Sequence, residues 1–210
     1  MEQGQTMRAT RVLMTADTVG GVWTYALDLA RLLAERGCEV TLATMGGYLP
    51  PAQARTVARM HGLHLHESNF KLEWMEDPWA DVAQAGEWLL ALAAKVQPDI
   101  VHLNNFAHGA LPWGAPVLMV AHSCVLSWWQ AVKREPAPPS WDRYAAAVRR
   151  GLQAANLVVA PTQAMLEALR THYGPLPAAQ VIYNGRDPHF FTPARKEPFV
   201  LAVGRLWDEA

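Results

Sequence analysis

Residues 11–44 read RVLMTADTVGGVWTYALDLARLLAERGCEVTLAT. Arg11–Ala16 is an apolar run of strand length. From Val22 to Arg36 the apolar residues recur at Val22, Tyr25, Ala26, Leu29, Leu32 and Leu33, the three- and four-residue spacing of one helix face. Asp28, Arg31, Glu35 and Arg36 fall off that stripe, and Gly37 is a natural stop. Glu39–Thr44 (EVTLAT) then returns to an apolar strand. A buried strand, an amphipathic helix and a second buried strand predict parallel pairing, because parallel strands need a crossover between them.

The rhythm continues outward. Leu63–Glu67, Asp99–Leu103, Val117–Ala121, Leu157–Ala160 and Val181–Tyr183 read as further strands. Asp77 and Pro78 make a helix start for Trp79–Val96, Ser140 a cap for Trp141–Ala155, and Thr162 a cap for Gln163–Tyr173. Near-continuously apolar strands alternating with helices predict an α/β fold: a doubly wound, mostly parallel sheet with helices on both faces. Residues 1–10 are polar and read as a flexible tail, and residues 11–186 as the α/β domain. Residues 187–198 are proline-punctuated and read as a linker. Residues 199–210 (FVLAVGRLWDEA) read as the first strand of a second domain that the chain does not contain.

Bulk properties exclude several classes. The chain has 210 residues, 51% hydrophobic and 18% charged, with a formal charge of −1, which argues against a general nucleic-acid binder. Cys38 and Cys124 have no paired spacing, so a disulfide framework or zinc site is not expected. The N-terminus lacks the apolar core of a leader, and no apolar run reaches membrane-span length. The expected location is the cytoplasm, with peripheral contact at the inner face of a membrane as a further expectation. His61, His64 and His66 lack acidic or cysteine partners placed beside them and read as surface and strand-edge residues; no metal is expected.

Open parallel sheets bind ligands at the carboxyl ends of their strands. The residues there include Asp17, Thr18, Thr44, Gly46, Ser68, Asn69, Asn104, Asn105, His122, Ser123, Thr162 and Asn184, polar apart from the glycine. Turn chemistry accounts for many of them, but less well for Asn104-Asn105 and His122-Ser123, on strands expected deep in the sheet. Gly20-Gly21 precede the first helix, where open N–H groups favour an anion. The loop is neither GxGxxG nor a P-loop with its lysine. Trp128, Trp129 and Trp141 flank the stiff EPAPP stretch, and indole faces stack on the apolar faces of sugar rings. Arg143, Arg149 and Arg150 make a basic helix face whose ordinary reading is a solvated surface.

The 11–44 stretch resembles the opening of the family 4 glycosyltransferases, retaining enzymes of the two-domain GT-B architecture. PDIVHLNN, VAHS, LVVAPTQAMLEAL, VIYNGRD and FVLAVGRL follow in the order that family uses. The resemblance implies an N-terminal, Rossmann-like acceptor-binding half. It implies that His122 stands beside the reacting sugar carbon as the catalytic candidate. Gly20, Gly21 and Arg205 would bind the donor diphosphate, and Ser123 would line the acceptor site, with Asn104, Asn105, Trp128 and Trp129 as further acceptor-binding candidates. The family's later lysine and glutamate pair are missing here, so the chain alone is expected to be inactive. The implied partners are a nucleotide sugar and a saccharide, polyol or glycolipid acceptor, with no nucleic acid. No cofactor or metal is implied, since Arg, Lys and a helix N-terminus take the metal's place.

Other readings stay open. A sugar-nucleotide epimerase shares the architecture. A non-catalytic carbohydrate- or lipid-binding module would need no donor site. A doubly wound hydrolase is disfavoured by the lack of a GxSxG elbow. An isolated strand at 199–203 would have an open edge, which suggests strand-mediated self-association.

Overall fold

The structure is a computed structural model that describes residues 8–202. Seven strands form one sheet: β1 (Arg11–Asp17), β2 (Glu39–Met45), β3 (Leu63–Glu67), β4 (Ile100–Leu103), β5 (Val117–Val120), β6 (Leu157–Ala160) and β7 (Ala179–Val181). Their order is β3-β2-β1-β4-β5-β6-β7, and every pairing is parallel. Six helices connect them: α1 (Gly21–Glu35), α2 (Pro51–Ala58), α3 (Trp79–Val96), α4 (Val125–Val132), α5 (Asp142–Ala154) and α6 (Gln163–Tyr173). The doubly wound α/β expectation is met, with a sheet that is wholly parallel.

Strand geometry explains why β1 is apolar almost throughout. Successive side chains point to opposite faces, so Val12, Met14 and Ala16 pack with Ala26 and Ala30 of α1. Leu13 packs on the other face with Ala85 and Leu89 of α3. Leu13 and Met14 are fully buried, each worth about 1.5–3 kcal/mol relative to exposure.

One contact is closer than any ordinary side chain allows. The turn Ala107–Ala110 after β4 packs on α5 through Gly109 and Gly151. A Cβ on Gly151 would stand 1.9 Å from the Phe106 carbonyl oxygen. Glycine is required there because backbone meets backbone.

Two sequence expectations need correction, and two features were not foreseen. Ser140 does not cap α5: Pro139–Trp141 form a 3₁₀ turn running directly into the helix, and no side-chain hydrogen bond caps it. The last strand is Ala179–Val181, not Val181–Tyr183, because the register set by β6 places Val181 against Ala160 at the strand's end. Helix α2 was not foreseen, and its short, weakly apolar sequence buries a single residue, Val57. Trp128 and Trp129 lie on a helix, α4, whose Cys124 side chain accepts from the Ser127 N–H.

Beyond β7 the chain returns to α1. Arg186 pairs with Asp28, and Asp187 with Arg31 at 3.7 Å. Residues 199–202 have no strand assignment, and Phe199 and Val200 are exposed. Arg205 and Val203, and the tail residues 1–7, lie outside the described residues. Among the described residues no helix is long and apolar enough to cross a membrane.

Candidate active site

The strand order reverses between β1 and β4. Crossovers leaving these strands diverge to opposite sides, which opens a crevice at their carboxyl ends. The crevice is lined at its floor by Asp17, Glu73, Asn104, Asn105, His122 and Tyr144, around a small hollow. It widens into a larger, solvent-open cleft bordered by Gly20, Gly21, Trp74, Ser123, Trp128 and Trp129. The structure thus brings together eight of the sequence-predicted residues: Gly20, Gly21, Asn104, Asn105, His122, Ser123, Trp128 and Trp129.

Thr15, on β1, organises the floor. Its hydroxyl accepts from the Asn104 backbone N–H at 3.0 Å and donates to Asn105 Oδ1 at 3.0 Å. Asn104 Nδ2 donates to the Thr15 carbonyl at 2.7 Å, which leaves Asn104 Oδ1 as an acceptor. His122 Nε2 lies 2.9 Å from that oxygen, so Nε2 carries the hydrogen and Nδ1 keeps its lone pair. The Tyr25 ring meets the imidazole edge-on at 4.5 Å. Burial pulls the His122 pKa down to about 4, so the ring is neutral at pH 7. Asn105 is held on both sides, because its Nδ2 donates to His108 Nδ1 and His108 Nε2 donates to the Val82 carbonyl.

Two acids share the floor. Asp17 accepts from the Val19 N–H at 3.2 Å, and burial raises its pKa to about 6. Glu73 is buried, and its oxygens accept from the N–H groups of Phe106 at 2.8 Å and Ala107 at 2.6 Å. Burial is the largest influence on Glu73 and the Asp17 charge adds to it; these outweigh the hydrogen bonds and push its pKa up to about 7.

The wall is aromatic. Trp128, Trp129, Trp141 and Tyr144 form consecutive edge-to-face or tilted pairs with centroids 5.6–6.4 Å apart, within the favourable range. Trp74 and Trp128 remain 41% and 42% exposed at the rim, so flat apolar surface is offered to a ligand. Across from them α1 begins. Gly20 has φ 88°, a conformation that favours glycine, and a Cβ on Gly20 or Gly21 would meet nothing within 4 Å. The helix N-terminus is therefore open on the cleft side.

Sequence reasoning noted Asp17 only as a strand-end polar residue and missed Glu73 and Tyr144. Glu73 sits outside any periodic element, and its role comes from backbone N–H groups 33 and 34 residues away. His64 and His66 lie on the exposed face of the edge strand β3. Among the described residues no three His, Cys, Asp or Glu side chains gather as a metal site.

Solved structures share this fold. The chain is similar to sucrose-phosphate synthase from Thermosynechococcus elongatus, at 14% identity and TM-score 0.68, covering 88% of this chain and 50% of that one. It is also similar to a glycosyltransferase from Rickettsia africae, at 18% identity and TM-score 0.61, covering 90% and 47%. A third is UGT2 of Phytolacca americana, solved with UDP-2-fluoroglucose and pterostilbene, at 13% identity and TM-score 0.56, covering 85% and 54%. The chain spans about half the length of each. No curated protein matches it. The model of Glycosyltransferase Family 4 matches residues 19–190, a span holding the glycine loop, Glu73, the residues that follow β4 and β5, and the tryptophan wall, and the chain belongs to that family.

Proposed function

We propose that this chain is the acceptor-binding half of a retaining, metal-independent glycosyltransferase. It would act with a donor half that binds a nucleotide sugar and transfer the sugar to a hydroxyl of a saccharide, polyol or glycolipid. The observation that carries the reading is the neutral His122, held by Asn104 at the switch of the sheet and facing the same cleft as the open start of α1.

The chemistry fits that arrangement. As the sugar–phosphate bond breaks, negative charge grows on the departing diphosphate and positive character on the sugar carbon. The N-terminal N–H groups at Gly20-Gly21 favour the former. A neutral imidazole brings no positive charge beside the latter, and its Nδ1 lone pair can receive a hydrogen bond from a sugar hydroxyl. In a retaining transfer the acceptor approaches on the face that the diphosphate leaves, so acceptor and diphosphate must share one cleft. Arg205 would complete the grip on the diphosphate.

The test is product formation from a panel of UDP-, GDP- and ADP-sugars, using the protein encoded by the complete reading frame. Replacing His122 with Ala is expected to lower kcat by about 10²–10³, the range for removing one preorganised group, with circular dichroism unchanged. A kcat within threefold of wild type would remove His122 from the reaction. The 210-residue chain by itself is expected to give no product, and substantial turnover by it would overturn its assignment as half of an enzyme.

A further inference from the structure

The two parts of the cleft are lined by two carboxylic acids, Asp17 and Glu73, and among the described residues by no lysine or arginine. Nearby cations are engaged elsewhere: Lys71 Nζ donates to the Glu76 carbonyl at 3.0 Å, and Arg143 lies over the Trp79 ring at 4.6 Å. Arg31 and Arg186 pair with Glu35 and Asp28 on the outer side of α1. The remaining polar lining, which includes Asn104, Asn105, His122, Ser123 and Tyr144, can hydrogen-bond without charge.

Clefts take phosphate or carboxylate groups with arginine, lysine or the N–H groups of a helix start, and the helix start that borders this cleft, at Gly20-Gly21, is the one assigned above to the donor diphosphate. Here an anion placed on the floor would face one or two carboxylates in surroundings that screen charge poorly. A hydroxyl, by contrast, is a hydrogen-bond donor, and Asp17 is an acceptor lining both parts of the cleft. Apolar ring faces suit Trp74 and Trp128.

We propose that the acceptor is an uncharged polyhydroxylated molecule whose hydroxyls donate to Asp17, and that the acidic floor rejects phosphorylated and carboxylated acceptors. This rests on the cleft being the acceptor site, as argued above. At pH 7.5 Asp17, with its pKa near 6, is ionised, so both the attraction and the rejection operate.

Binding to the 210-residue chain at pH 7.5 provides the test, followed by tryptophan fluorescence and by backbone amide NMR shifts. The probes are matched pairs: glucose and glucose 6-phosphate, myo-inositol and myo-inositol 1-phosphate, glycerol and glycerol 3-phosphate. At least one neutral member is expected to bind at the cleft, shifting Ser123 and the indole signals, at least about tenfold more tightly than its phosphorylated partner. Asp17→Asn keeps the shape and removes the charge, and is expected to narrow that ratio severalfold while its urea unfolding curve confirms folding. A phosphorylated member binding the wild-type cleft as tightly as its neutral partner overturns the inference alone. A ratio unchanged in Asp17→Asn does the same for the part assigned to Asp17. If no member of either series shifts the cleft residues, the acceptor-site reading falls and the inference with it.

Discussion

Glu73 gives a pH-dependent stability whose size follows from its surroundings. It is buried, close enough to feel the Asp17 charge, and its pKa rises from an ordinary 4.5 to about 7. A raised acid favours the folded state fully below its unfolded pKa, and that advantage is lost as pH rises through the folded value. The window is therefore pH 4.5 to about 7. Each pKa unit is worth about 1.36 kcal/mol, so the rise corresponds to about 3 kcal/mol across the window. Glu73→Gln removes the titration but keeps the volume. It also turns an NH₂ group toward one of the N–H donors of Phe106 and Ala107, a pH-independent penalty of about 1–3 kcal/mol. Urea unfolding of both proteins at pH 4.5, 5.5, 6.5 and 7.5 gives the difference in stability at each pH. The advantage of wild type over Glu73→Gln is expected to be greatest at pH 4.5 and to shrink by about 2–3 kcal/mol by pH 7.5. His102 and His122, both lowered to about 4 by burial, lose their stabilising contribution as pH falls from 6.5 through 4. They do so in both proteins and cancel in the difference. A difference that stays flat with pH, or that grows as pH rises, would mean that Glu73 does not titrate with a raised pKa in the folded protein.

Two further predictions concern packing and capping. Gly151→Ala would push a methyl into the Phe106 carbonyl, and a loss of at least about 2 kcal/mol is expected from overpacking against backbone; a loss under 0.5 kcal/mol by urea unfolding would show that α5 can shift freely. Thr162→Ala removes the hydroxyl that accepts from the Met165 N–H at 3.0 Å and is expected to cost about 1 kcal/mol. Ser140→Ala, at a position that makes no such cap, is expected to change stability by less than about 0.5 kcal/mol. Equal effects at the two sites in thermal or urea unfolding would contradict the capping assignment.

The glycine loop, the histidine after β5 and the tryptophan stretch were legible because each follows a periodic apolar element that fixes where it must lie. The Arg11–Ala16 run could be read as a buried strand because Val12, Met14 and Ala16 face one layer and Leu13 the other. Ser140 misled for a local reason. It has the chemistry of a cap, but the proline before it leads the chain into the helix through a 3₁₀ turn, and no hydroxyl bond is made. Helix α2 was hidden because its pattern is too short and too polar to compete with a loop reading.

The layer pattern is written in the chain, since near-continuously apolar runs of strand length alternating with 3.6-residue apolar periodicity admit few arrangements. The sequence also determined that polar groups would gather at the carboxyl ends of the strands. Tertiary structure alone decided which of those groups meet. The switch between β1 and β4 brings Thr15 against Asn104 and Asn105, 89 and 90 residues away, and so sets the hydrogen that His122 carries. It also carries Glu73 beneath the N–H groups of Phe106 and Ala107 and near Asp17. Burial and charge there depend on what surrounds a carboxyl in three dimensions. No spacing along the chain records that.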